Sequence, residues 1–317
     1  MKTIVSSVFI TGVLLAAVGG IEARDSGARE PISSLPFVIT NGGSFYVTTN
    51  LTGTNGIMVL ASDVTIDLNG FVLTGVDSSG SGIVARSPVN LAGGITNISV
   101  RNGAVRGWSG HGIFALGVRN GRLDHLDVSS NAFSGITLDE NSDISNCDAR
   151  DNGSFGIVAG EKSTVRNCLA RGNRDDGFQL GNGSHISSSV TVENHGSGML
   201  LRANCGASDC AATLNTGTGI LAALAGCQIR DNTCISNNPN ASASGAGIFV
   251  YGDNCRVEGN TLSGNGFAGI TQFDGITNTF LAKNKGQGIG TNSIVIPSGG
   301  VLEAGGNAEI TPVSSVK

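Results

Sequence analysis

Six ionisable side chains between positions 174 and 202 are the best placed in this sequence for acid–base or ion chemistry. Arg174, Asp175 and Asp176 form a run, followed by Glu193, His195 and Arg202. Two neighbouring carboxylates can divide proton donation and acceptance between them, or share a calcium ion, which takes several oxygen ligands. His195 or Arg202 is then the group available as general base, with Arg174 and Glu193 as flanking binding groups. A plainer explanation competes with this one. Asp directly before Gly177 favours a turn because its carboxylate bonds its own backbone. The choice depends on the elements that carry these residues.

Those elements come from an internal repeat. A Gly followed by a large apolar residue recurs at Gly56, Gly82, Gly112, Gly135, Gly156, Gly177, Gly198, Gly219, Gly247, Gly269 and Gly288. From Gly135 to Gly219 the interval is constant at 21 residues. An asparagine lies four residues before the Gly at Asn131, Asn152, Asn173, Asn194, Asn215, Asn265 and Asn284, and an apolar residue eight before the asparagine, as at Ile144 and Val165. A unit this short cannot pack two helices, and its apolar residues alternate every second position, as in strands. Each coil therefore reads as strand, turn, strand, Asn-bearing corner, strand, turn. The expected fold is all-β: a single-stranded parallel β-helix of about ten coils with three short strands each, whose apolar columns are buried only by stacking. The corner asparagines are structural, suited by left-handed tolerance and by amide-to-amide bonding between coils.

If Ile157 and Ala159 point inward, Val158 and Gly160 point out, and so do their counterparts in every coil. One outward column then reads Phe114, Thr137, Val158, Gln179, Leu200, Leu221, Phe249 and Thr271; the next carries Asp139, Arg202, Tyr251 and Phe273. This face is unusually apolar. Phe249, Tyr251 and Phe273 gather towards its C-terminal end as binding platforms, while charge gathers on the middle coils. An alternative use of such a stripe is to be covered by another subunit, so a homo-oligomer is a second expectation.

The segments VRNCLARGN at 165–173 and VEGNTLSGN at 257–265 resemble the right-handed parallel β-helix repeat of the pectin-lyase-like superfamily, and VTIDLNG at 64–70 resembles the opening coil of its exported bacterial members. The resemblance covers about residues 36–295. It implies the fold firmly and an extended polysaccharide as partner, since enzymes of that superfamily lay sugars along this sheet. On that basis the carboxylates would serve a glycoside hydrolase or, with calcium, a uronate lyase. Specific motifs do not follow. Gly110-His111-Gly112 and Asp175-Asp176-Gly177 superficially resemble polygalacturonase motifs but stand in reversed order, and the Asp-Pro-His signature of uronan epimerases is absent. A non-catalytic surface, structural or adhesion protein is the competing expectation.

The remaining features bound the setting. Lys2 followed by an apolar run over 4–18 and small residues to Ala23 reads as a secretory signal, residues 1–23, leaving a secreted, periplasmic or extracellular protein with no membrane span. Residues 24–35 read as a lead-in, 36–295 as the β-helix, and 296–317 as a cap. A net charge of -5 and no basic run argue against nucleic acid. Cys147, Cys168 and Cys210 share one register, Cys227 and Cys255 another, and Cys205 with Cys210 can close a small loop. No histidine stands at metal-ligand spacing from them, so no zinc site is expected.

Overall fold

In the computed structural model, residues 29–87, 94–239, 246–287, 294–295 and 301–303 are described, and every regular element among them is a strand. The Gly-led strands, with Phe37–Ile39 before them and Ile294–Val295 after, stack into one parallel sheet of 12. Its register pairs Ile157, Val158 and Ala159 with Phe178, Gln179 and Leu180, which pair in turn with Met199, Leu200 and Leu201. The other two strands of each coil, such as Thr164–Arg166 and Leu169–Arg171, belong to a second parallel sheet of 22. This is the expected β-helix. The ladder also extends past both expected bounds: Glu30–Ile32 pairs with Gly43–Val47 inside the expected lead-in, and Val301–Glu303 pairs with Thr279–Ala282 inside the expected cap.

Period-two alternation builds the core. Ile157, Phe178, Met199, Ile220 and Ile248 form one buried column, with Ala159, Leu180, Leu201 and Ala222 beside it. No single coil could bury these side chains; each is covered by its counterparts above and below.

The Asn corner follows the expected chemistry with three corrections. From Asn131 through Asn152, Asn173, Asn194, Asn215 and Asn237 to Asn265, each Nδ2 donates to the next Oδ1 at 2.9–3.0 Å. Asn237 holds a seat that spacing concealed, because its coil carries extra residues before Gly247. Asn284 belongs to a different corner, accepting from Asn260, which itself accepts from Asn232. The left-handed backbone falls on the residue before each ladder asparagine, as at Asp151 (φ 53) and Leu214 (φ 56), and not on the asparagine itself. The repeat Gly also has a steric reason. A Cβ on Gly156 would lie 2.5 Å from the Gly177 carbonyl and 2.7 Å from Asn173 Nδ2, so a side chain there would strike the ladder.

All seven cysteines are buried and free. Cys147, Cys168 and Cys210 occupy the corner that later carries Asn232, Asn260 and Asn284; Cys168 and Cys210 donate backbone N–H groups to Ser189 Oγ and Asn232 Oδ1. Cys205 stacks with Cys227 and Cys255, as the strand register requires, and not with Cys210.

Candidate functional site

The outer face of the Gly-led sheet carries three side-chain columns: the residue before each Gly, and those two and four after it. Contact between the first two is direct, since the rings of His111 and Phe114 stack with centroids 4.6 Å apart. Phe114, Val158, Gln179, Leu200 and Leu221 are half-buried on this face, whereas Thr137, Phe249 and Thr271 are buried among their neighbours. Of the expected cap, residues 296–300 and 304–317 lie outside the described residues.

Aromatic rings form two clusters on this surface. At the C-terminal end Tyr251 stacks on Phe273 at 4.4 Å and 18°, and meets Phe249 edge-on at 4.8 Å. Tyr251 and Phe273 remain 41% and 45% exposed, so the stack presents ring surface to solvent while Phe249 supports it from below. Six strands earlier His111 lies between Phe114 and Phe133, with Phe133 at 5.3 Å and 26°. Burial holds the His111 imidazole below the ordinary histidine range, and its Nδ1 has no hydrogen-bond partner. This second cluster was not legible as a site. Its members sit at different offsets from Gly112 and Gly135, and only coil stacking brings them together.

The six charged residues do not converge on one centre. Asp176 lies on the outer face in the column of His111 and is buried; its Oδ1 accepts the Ser197 N–H at 2.6 Å. Burial raises its carboxyl to about 6, with the neighbouring Asp175 charge adding to the rise and the Ser197 hydrogen bond opposing it. Asp175 Oδ1 accepts the Asp176 N–H at 3.1 Å, the turn arrangement that competes with a catalytic role. One oxygen of each carboxylate is thus committed to a backbone N–H group. Among the described residues no group of three or more His, Cys, Asp or Glu is arranged to hold a metal.

Arg174 and His195 stand one coil apart at the Asn corner and line a groove of about 580 Å³ with Asp77, Ser109, Ser130 and Asp151. Glu193 points elsewhere and pairs with Arg171 at 3.0 Å. Arg202 is exposed at the opposite margin of the sheet, four residues beyond Gly198. Of the nine residues singled out from sequence, the structure brings together Phe249, Tyr251 and Phe273, Asp175 with Asp176, and Arg174 with His195.

A stack of three-strand coils closed by an internal Asn ladder defines a parallel β-solenoid. The profile described as "Right handed beta helix region" matches residues 37–195 and 87–227, and the chain belongs to that family. Among solved structures it is similar to the A-module of the mannuronan C-5 epimerase AlgE6 from Azotobacter vinelandii, with 17% identity, a TM-score of 0.64, and coverage of 87% of this chain and 89% of that one. It is also similar to the catalytic domain of a GH87 α-1,3-glucanase in complex with nigerose (14%, TM-score 0.54, 92% and 64%) and to the receptor-binding domain of the siphovirus 9NA tailspike (13%, TM-score 0.53, 87% and 52%). At these identities the likeness is one of fold. The search of curated proteins found no match.

Proposed function

We propose that this chain is an exported protein that binds an extended polysaccharide along the outer face of its Gly-led sheet. The observation that carries this reading is the pair of aromatic clusters on one face, six strand spacings or roughly 29 Å apart. Exposed rings backed by packed rings offer flat apolar surface on which the C–H faces of sugars can lie, and the half-buried Gln179 between them offers hydrogen bonds. The epimerase and glucanase likenesses support the reading, because both names specify a polysaccharide. Affinity electrophoresis and calorimetry over a polysaccharide panel test it. Phe133→Ala and Tyr251→Ala should each weaken binding by about two- to tenfold. Unchanged affinity in both variants would remove the face from consideration. Export is tested by N-terminal sequencing of the secreted chain, expected to begin just after Ala23.

A second reading, cleavage, is favoured by Asp176, whose raised carboxyl can donate a proton on the sugar-facing side near neutral pH. Reducing-sugar release that disappears in Asp176→Asn while binding persists would establish it. No release by the wild-type chain on any polysaccharide it binds would leave binding alone.

A further inference from the structure

The charge pattern of the same face allows the polysaccharide class to be narrowed, on the footing of the binding reading above. From Ile113–Ala115 to Ile270–Gln272, the three outward columns hold one permanent cation, Arg202, against Asp139 and Asp176. Asp139 already accepts the Gly117 N–H at 2.9 Å. The remaining positions between the aromatic clusters are apolar, hydroxyl, amide or Gly. Arg86 lies one strand outside the first cluster, in register with Leu116. At the margin beside Arg202, Glu140 is paired with Arg119, and Glu161 has Lys162 next to it, so the margin adds no surplus of cations, and the chain as a whole carries a net charge of -5.

A polyuronate brings one carboxylate per sugar. Laid along this face, it would strip water from a row of anions and offer them one arginine in return. Desolvated charge without a partner costs several kcal/mol per ion, more than a ring contact returns. A neutral chain meets no such penalty, and the two ring clusters with Gln179 and Ser197 match its alternation of C–H faces and hydroxyls. We infer that the ligand is a neutral, extended polysaccharide and that polyuronates are rejected.

The test compares neutral polysaccharides (glucans, mannans, galactans) with polygalacturonate and alginate by affinity electrophoresis and calorimetry, using the full mature chain at about 0.05 M and about 0.5 M salt. The expected result is binding to a neutral chain that changes by less than about twofold with salt and falls at least about tenfold in Tyr251→Ala/Phe273→Ala. Tighter binding to a polyuronate, weakened about tenfold or more by salt, would overturn the inference while leaving the binding reading in place. Binding to neither class would overturn both. Circular dichroism of the double variant guards against misfolding.

Discussion

Asp176 and His111 lie in the same outward column but respond to burial with opposite pH dependence. For Asp176, burial raises the carboxyl from 3.8 to about 6. Stability from its bound proton is therefore fully present below the unfolded value and lost as pH rises through the folded one. Between pH about 4 and about 7 the wild-type chain should lose on the order of 2 kcal/mol relative to Asp176→Asn, read as the difference in urea midpoints. A pH-independent gap between the two would contradict the burial argument. For His111 the sign reverses. Its value falls below 6.5, so the folded state resists protonation and loses stability as pH drops below that point. In an NMR titration its ring should protonate below 6.5, and Phe133→Ala, which opens one side of the sandwich, should move it back towards 6.5.

The corners give the sharpest tests at the level of elements. Asn173 donates to Asn194 and to the Ala149 carbonyl and accepts from Asn152, all within the core. Asn173→Ala leaves these groups unpaired and should cost about 3 kcal/mol in chemical unfolding. Leu214 is half exposed and holds φ at 56, a left-handed conformation that strains a branched side chain, so Leu214→Asn should stabilise by about 1 kcal/mol. The parts of these elements legible in the sequence are those fixed by a constant interval. Ile157, Phe178 and Met199 share a column because they are 21 residues apart, and Asn152, Asn173 and Asn194 form a ladder for the same reason. Legibility failed where a coil changed length. Asn237 was hidden by the insertion after it, Asn284 stood four residues before a Gly yet belongs to another corner, and Ile294 pairs with Ile270, while Gly288 and Ile289 lie outside the described residues. The charged candidates failed for a different reason. Sequence proximity of Asp176, Glu193 and His195 says nothing about direction, and one residue of offset at a corner turns Glu193 towards Arg171.

Across the whole molecule, strand topology fixes a rigid separation between the two aromatic clusters, so a ligand long enough to touch both should gain affinity sharply over a shorter one, as calorimetry against an oligosaccharide series would show. The same topology determines how the chain bears load. Bonds such as Ile157 N–H to Gly177 carbonyl, at 2.9 Å, join one coil to the next and run along the solenoid axis. A force applied between the ends therefore falls on one coil junction at a time and not on all of them in parallel. Stretched in an atomic force microscope, this protein should peel like a spring unwinding from a drum, releasing roughly 70 Å of slack for each 21-residue coil at low, nearly uniform force. Pulled across its axis, it should resist as a bundle of cords does.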